Sequence, residues 1–232
     1  MKAKYRYLVP NGITFLSLAC GVVSILLSAS GHLQPAGILI LASYILDLFD
    51  GATARRLQAG SEFGLQLDSL VDMVSLGTAP AVLAHMHLLA EGVDQVWVWP
   101  VVVFVALAGA FRLARFNLLP PKPTGNTDSV GLTISTGGAT ITLAVLSDLA
   151  VPGEVIPDIA FVPLLAFIGL LMVSKIAFPS FRWVFSGKRK NALLVFLFGV
   201  SLLKLSFFNA WFLWTNAYLG ISLARAGYRN FR

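Results

Sequence analysis

Long apolar segments separated by short polar stretches dominate the chain. A helix needs about 20 mostly apolar residues to cross a bilayer, and segments of this length follow one another from the N-terminus. They are Asn11–Ser30, Pro35–Arg55, Leu65–Leu89, Val96–Phe116, Val130–Ala150 and Ile156–Lys175. The pattern predicts six core transmembrane helices.

A further apolar stretch near the C-terminus, Ala192–Ala224, has a different length. As one helix it would reach about 50 Å, too long for an ordinary span. A turn within Ser206–Ala210 would divide it into a hairpin of two short helices. The predicted fold class is therefore all-α: a polytopic membrane helix bundle with a transmembrane core (residues 1–181), followed by a basic cytoplasmic loop, a C-terminal two-helix hairpin and a tail (residues 182–232).

The composition excludes an ordinary soluble domain. Hydrophobic residues make up 57% of the 232 residues, and the mean hydropathy is +0.80. Charged residues reach only 12%, against about 25% in soluble proteins. A basic start followed by Leu18-Ala19-Cys20 resembles a lipoprotein signal, but the apolar run continues past Cys20, which favours a retained first span. The single cysteine also excludes an intrachain disulfide and a thiolate metal cluster.

The basic residues lie almost entirely on one side of the predicted bundle. Of the 17 lysine and arginine residues, all except Lys204 lie on that side. The loops on the other side carry acids instead, namely Glu91, Asp94, Asp148, Glu154 and Asp158. Because basic loops stay in the cytoplasm, we predict a multi-pass protein of the cell membrane with both termini cytoplasmic, and the net charge of +6 then reflects orientation rather than nucleic-acid binding.

Four acids, Asp47, Asp50, Asp68 and Asp72, lie inside predicted spans. A carboxylate near the centre of a membrane helix costs about 2.5–3.5 kcal/mol on insertion scales, so such residues usually mark function. Asp47 and Asp50 share one face of the second span, and Asp68 and Asp72 share one face of the third. The short predicted loop Arg56–Phe63 makes these spans antiparallel, so the acidic faces can meet near the cytoplasmic boundary.

This cluster offers oxygen ligands without nearby histidine or cysteine, which suits Mg²⁺, Mn²⁺ or Ca²⁺ better than zinc. Two such ions could hold a phosphorus that undergoes in-line attack. Two other interpretations stay open at this point. The acids could be interfacial residues at helix ends, or they could line the pathway of a divalent-cation transporter.

The segment Asp47-Leu-Phe-Asp50-Gly51-Ala-Thr-Ala54-Arg55, with Gly64, Asp68 and Asp72 at fixed distances after it, resembles the signature of the CDP-alcohol phosphatidyltransferase family. The resemblance implies a six-helix membrane enzyme, typically a homodimer, that transfers a phosphoryl-linked group from a CDP-alcohol to an acceptor hydroxyl and releases CMP.

Softer motifs resemble the subgroup that transfers the phosphatidyl group of CDP-diacylglycerol to L-serine. They are Val9-Pro10-Asn11 through Gly21, Ser61-Glu-Phe-Gly64, Phe111-Arg112-Leu-Ala-Arg115-Phe-Asn117, and Leu171-Met-Val-Ser174 followed by Pro179-Ser-Phe. Other acceptors, such as glycerol 3-phosphate or an inositol phosphate, and an archaeal ether lipid remain alternatives. One departure concerns the start of the fifth span, where Thr133 and Ser135 stand in place of the subgroup's prolines. We expect them to alter that start.

The resemblance also implies residue roles. Asp47, Asp50, Asp68 and Asp72 would hold two divalent ions, Mg²⁺ or Mn²⁺, and Asp72 would also be the general base. The CDP-lipid would contact Asn11, Thr14, Gly51, Ala54, Arg55 and Gly64, although Asn11 and Thr14 could instead be helix caps. Arg112, Arg115 and Asn117 would bind the acceptor or a phosphate, although the two arginines could instead anchor a cytoplasmic loop. The active site would then face the cytoplasm.

Overall fold

Helices account for nearly all of the chain that the structure describes, a computed structural model in which residues 6–118, 128–151, 155–179 and 188–230 are described. The helices are α1 (Leu8–Ala29), α2 (Leu33–Leu57), α3 (Glu62–Asp72), α4 (Ala79–Ala90), α5 (Gln95–Leu118), α6 (Ile134–Leu149), α7 (Asp158–Val173), α8 (Lys188–Leu202) and α9 (Phe207–Asn230). A π-helical turn, Met73–Thr78, joins α3 to α4 without a break. Two short strands, β1 (Ser129–Val130) and β2 (Ala177–Phe178), pair antiparallel, with Ser129 opposite Phe178. The predicted all-α class is confirmed.

Four helical segments of the described chain are long and apolar enough to cross a membrane. They are Leu8–Ala29, Leu33–Leu57, Glu62–Ala90 and Gln95–Leu118. Helices α6 and α7 have 16 residues each, so each is about 24 Å long. The chain is a membrane protein with several apolar helices, and the first four predicted spans correspond to its long helices.

The C-terminal stretch forms two helices, as the sequence predicted, but the break lies earlier than expected. It covers Leu203–Ser206, and Phe207–Ala210 already belong to α9. Ser206 explains the position, because its Oγ accepts a hydrogen bond from Asn209 N at 3.3 Å and thereby caps the new helix.

Some of the charged residues used to predict the cytoplasmic and outer sides lie outside the described residues. They are Lys2, Lys4, Lys122, Arg182, Arg232 and Glu154.

Small side chains allow α1 to approach its neighbours closely. The buried face of α1 consists mainly of small residues: Pro10, Thr14, Ser17, Gly21, Ser24 and Ser28. Ser17 Oγ lies 2.7 Å from Ser43 Oγ of α2, and Ser24 Oγ donates to Ala36 O at 2.9 Å. Such small and hydroxyl-bearing residues are typical of helix contacts in membranes, where close packing and hydrogen bonds replace the hydrophobic driving force.

Helix α6 lies at the centre of the bundle, and nearly all of its side chains are buried. It crosses the π-helical turn so closely that a Cβ on Gly138 would collide with Leu76 O. Pro80 has no N–H to donate to that carbonyl four residues earlier. Thr78 Oγ1 donates to Met73 O at 3.0 Å, five residues back, which matches the spacing of a π-helix.

The connection between α2 and α3 is shorter than the predicted loop Arg56–Phe63. Helix α2 continues to Leu57 and ends at Gln58 in the left-handed region, with φ of 51°. Helix α3 begins at Glu62, where Ser61 Oγ caps it by accepting from Gly64 N at 3.0 Å. The left-handed Gln58 and the Ser61 cap leave only residues 58–61 outside helices. This short connection holds the parts of α2 and α3 that carry the acids side by side.

Candidate metal centre

Three carboxylates from two helices converge at this junction. One oxygen each from Asp47 and Asp50 of α2 and Asp68 of α3 lie within 4.8 Å of one another. Asp50 is buried, and the other two are partly buried. The donor set is all oxygen and draws on both helices, so it fits a hard divalent cation. The helix periodicity and the short loop predicted this convergence.

Asp72 occupies a different place from the other three acids. It is the last residue of α3, directly before the π-helical turn, and is only 8% exposed. Its carboxyl group lies next to that of Asp47 but outside the set of three within 4.8 Å. The structure therefore brings together three of the four predicted ligands and holds the fourth beside them, one helical turn beyond Asp68 on α3.

Thr14 contacts the cluster directly through its hydroxyl group. Its Oγ1 lies 2.7 Å from Asp50 Oδ2 and 3.0 Å from Pro10 O. The alternative that Asn11 and Thr14 are helix caps is wrong, because α1 already begins at Leu8 after Tyr7. The side chain instead orients one carboxylate of the cluster, and the sequence alone did not indicate that partner.

The small residues of the signature lie on the same helices as the acids: Gly51 and Ala54 follow Asp50 on α2, and Gly64 precedes Asp68 on α3. A Cβ on Gly51 would lie 3.3 Å from Arg55 Nη1, so the exposed Arg55 folds along α2 over the glycine. A Cβ on Gly64 would lie 3.4 Å from Asn11 Oδ1, so Asn11 reaches the start of α3. Ala54, one helical turn beyond Asp50, is partly buried. The predicted CDP-lipid residues thus lie on α1, on α2 and at the start of α3, and Thr14 contacts the cluster itself.

Arg112 of α5 faces the acids from a third helix. It is only 8% exposed, and the charged groups near it are Asp72, Asp47 and Arg115. Its guanidinium carbon also lies 5.1 Å from the centre of the Phe116 ring. This burial beside carboxylates differs from a loop anchor at the membrane surface.

Arg115 has a different environment from Arg112, although the sequence paired them. Its guanidinium donates to Val173 O at 2.8 Å, Val130 O at 2.9 Å and Met172 O at 3.1 Å. It therefore ties the end of α5 to the end of α7 and to β1. Backbone carbonyls cannot be read from side-chain patterns, so the sequence gave no signal for this role.

Asn117, the third residue of the predicted acceptor group, joins α5 to α3. Its Nδ2 donates to Ser69 Oγ at 3.1 Å, and both groups are exposed. The three predicted acceptor residues thus lie in three different environments. Arg112 lies beside the acids, Arg115 binds backbone carbonyls, and Asn117 lies at the surface next to α3.

The segment before α6 contains Thr133, which stands where the resembled subgroup has a proline. Gly131 has φ of +75°, and a Cβ there would lie within 3 Å of Arg115 Nη2, Met172 O and Ser174 O. Thr133 has φ of −71°, close to the value of proline, and its Oγ1 accepts from Thr136 N at 3.2 Å. The cap formed by the Thr133 hydroxyl takes the place of the restriction on φ that a proline ring would impose. The backbone at residue 133 therefore keeps a proline-like conformation. This differs from our expectation that the start of the fifth span would be altered.

Residues 7–222 match the model of the family described as CDP-alcohol phosphatidyltransferase. The chain is similar to the CDP-diacylglycerol–serine O-phosphatidyltransferase of Helicobacter pylori, with 33% identity over 184 residues that cover 77% of this chain and 74% of that protein. The Bacillus subtilis protein of the same name is 31% identical over 75% of this chain and 91% of its own length. The archaetidylserine synthase of Methanothermobacter thermautotrophicus is 31% identical over 74% of this chain and 69% of its own length.

Proposed function

Since the chain belongs to the CDP-alcohol phosphatidyltransferase family, we propose that it transfers the phosphatidyl group of CDP-diacylglycerol to the hydroxyl of L-serine and releases phosphatidylserine and CMP. The observation that carries the proposal is the convergence of Asp47, Asp50 and Asp68 at the junction of α2 and α3. The names of the bacterial relatives support serine as the acceptor.

Asp47, Asp50 and Asp68 would hold the divalent metal, which we propose to be two ions of Mg²⁺ or Mn²⁺. Bound there, the metal would neutralise phosphate charge and stabilise the departing CMP. Thr14 supports this set by fixing the Asp50 carboxylate through its 2.7 Å contact. Such outer contacts orient metal ligands and are needed for full affinity.

Asp72 is the proposed general base, and it could also contribute a ligand. Its carboxylate would take the proton of the serine hydroxyl as the hydroxyl oxygen attacks the phosphorus attached to diacylglycerol. A new oxygen–phosphorus bond forms, the bond from that phosphorus to the bridging oxygen breaks, and CMP leaves with that oxygen. The position of Asp72 supports the role, because it lies next to the metal-binding carboxylates but outside the set of three and can be held for proton transfer.

Gly51, Ala54 and Gly64 would let the nucleotide approach the helix backbone, with Asn11 and Arg55 at its edges. Arg55 is exposed, and its guanidinium would contact the pyrophosphate. Arg112 would bind the lipid-linked phosphate or the carboxylate of serine, because a planar guanidinium pairs well with either group. Its burial beside Asp72 places that charge near the proposed reaction.

Arg115 and Asn117 are assigned supporting roles in this proposal. The three carbonyl contacts of Arg115 hold the ends of α5 and α7 together next to Arg112. Asn117 holds α5 against α3 through Ser69. Neither contact involves the acids, so we propose that these residues position the acceptor side of the site.

Topology and assembly extend the same proposal. The distribution of basic residues supports cytoplasmic termini and a cytoplasmic active site. Six core spans with a C-terminal hairpin, and a homodimer, follow from the sequence pattern and the family. Large apolar side chains exposed on α1, such as Leu16 and Leu26, would contact lipid or a second copy.

An ether lipid substrate is the second candidate, because the chain is also similar to an archaetidylserine synthase. The two candidates share the acceptor and the chemistry, and they differ in the linkage between glycerol and the hydrocarbon chains. Parallel assays with the ester and the ether CDP-lipid would separate them.

The test is release of CMP by the purified protein in detergent with CDP-diacylglycerol and Mg²⁺ or Mn²⁺. A panel of L-serine, glycerol 3-phosphate and an inositol phosphate is supplied one at a time, and the lipid product is identified by mass. We expect release with serine alone, and none from a variant with both Asp47→Asn and Asp68→Asn. Release with another acceptor only would overturn the serine assignment, whereas no release with any acceptor, together with metal uptake into liposomes, would favour a transporter.

A further inference from the structure

A second group of metal-ligating side chains lies far from the acidic cluster. His87 of α4, Glu91 just after α4, and Asp148 near the end of α6 each offer one ligand atom, and these atoms lie within 4.8 Å of one another. His87 follows Asp72 by 15 residues of continuous helix, or about 22 Å along the axis. The group is therefore at the opposite end of the bundle from the proposed reaction.

His87 is the residue that needs an explanation. Its side chain is completely buried, and within the described chain neither ring nitrogen makes a hydrogen bond. Nε2 lies 3.3 Å from Asp148 Oδ2, but the contact lacks hydrogen-bond geometry. A buried polar group without a partner is costly, so the imidazole points to a binding partner between it and the carboxylate.

Asp148 is already oriented for such a partner. Its Oδ1 accepts from Val155 N at 2.8 Å and from Ile156 N at 3.3 Å, which directs Oδ2 towards His87. Fixed outer contacts of this kind are typical of carboxylates that bind metal. The ring of His87 is also held in place, because it packs against Phe161 at a centroid distance of 5.0 Å.

We propose that His87, Asp148 and Glu91 form a zinc site. Ligand atoms at about 2.0–2.1 Å from a tetrahedral zinc ion lie about 3.3 Å apart, and the observed separation of Nε2 and Oδ2 is 3.3 Å. One imidazole nitrogen with two carboxylate oxygens suits zinc better than Mg²⁺, which prefers oxygen alone. Glu91 is exposed, so the ion can reach the site from solvent at this ligand.

The experiment measures zinc binding in a variant whose catalytic cluster has lost two of its three converging carboxylates. The Asp47→Asn and Asp68→Asn variant is purified in detergent and titrated with Zn²⁺ against a chromophoric chelator. We expect one zinc ion per chain, with nitrogen and oxygen ligands in X-ray absorption at the zinc edge. Adding His87→Gln should weaken binding at least tenfold, since even loss of an outer contact costs about 10–100-fold.

Two further variants separate ligation from folding. Asp148→Asn keeps one oxygen for Val155 N but should weaken zinc binding as His87→Gln does. His85→Gln is the matched control on the same helix, because His85 Nε2 accepts from Trp99 Nε1 at 3.0 Å and should bind no zinc. Each variant is checked for a single gel-filtration peak and a cooperative thermal transition. Equal zinc affinity with and without His87, or no zinc bound by the folded parent variant, would overturn the proposal and leave a buried His87–Asp148 ion pair.

Discussion

Replacing Thr14 by valine removes one hydroxyl from the edge of the acidic cluster. Valine has nearly the same shape and branching as threonine, and position 14 is 5% exposed, so packing against α2 is retained. The change deletes the 2.7 Å contact with Asp50 Oδ2 and the 3.0 Å contact with Pro10 O. The Asp50 carboxylate then loses the group that fixes its orientation.

Two estimates of the effect agree. A hydrogen bond to a charged group contributes about 1.5–3 kcal/mol, which corresponds to about 10- to 150-fold in a binding constant. Loss of outer contacts in metal sites weakens metal binding or activity by about 10–100-fold. We therefore expect the metal concentration for half-maximal CMP release to rise about 10–100-fold in T14V, with little change in the rate at saturating metal.

The assay is a titration of CMP release with Mg²⁺ and with Mn²⁺ at saturating CDP-diacylglycerol and serine. Thr14→Ser should restore most of the metal affinity, because serine returns the hydroxyl. Ser17→Ala is the matched control: it lies one turn further along α1, and its hydroxyl contacts Ser43 instead of an acid. An unchanged metal dependence in T14V would refute the reasoning, since Asp50 would then be held without this contact.

Three other substitutions test separate parts of the structure. Asp72→Asn removes the proposed base and should lower CMP release by about 10²-fold or more while CDP-lipid binding persists; full activity would remove that assignment. Thr133→Pro should leave the thermal midpoint nearly unchanged, because loss of the cap on Thr136 N costs about 1 kcal/mol and a compatible proline returns about 0.4–1 kcal/mol. Gly138→Ala should destabilise by about 1–3 kcal/mol in thermal or denaturant unfolding, because its Cβ meets a backbone oxygen. Gly199→Ala, whose Cβ would meet nothing within 4 Å, is its control and should not destabilise.

Helical periodicity explains why the acidic cluster could be predicted. Asp47 and Asp50 are three residues apart, and Asp68 and Asp72 are four apart, so each pair must share a helix face. Only a short connection joins the two helices, which forces their ends together. Chain connectivity and helix geometry therefore bring Asp47, Asp50 and Asp68 together, with Asp72 beside them. The resemblance to the family signature then suggested their chemistry, which stays a proposal, and the family match confirms that the chain belongs to the family.

The contacts that sequence reasoning missed involve backbone carbonyls or depend on how the helices cross. Arg115 binds three carbonyls, and every residue has a carbonyl, so no pattern of side chains marks the partner. Asp72 shares a face with Asp68, but the periodicity does not show that it lies outside the set of three converging carboxylates. The partner of Thr14 depended on the crossing of α1 and α2, which small residues permit but do not locate.

The π-helical turn Met73–Thr78 acts as an extra residue inserted into an otherwise continuous helix. In an α-helix each residue rotates the side-chain direction by about 100° about the helix axis. One additional residue therefore rotates the side chains of α3 relative to those of α4. Deleting one residue of the turn would restore regular α-geometry and swing Asp68 and Asp72 away from α2, while the contact of Leu76 with Gly138 kept its place. The π-helical turn therefore sets how Asp68 and Asp72 are rotated about the helix axis relative to the residues of α4 that pack inside the bundle.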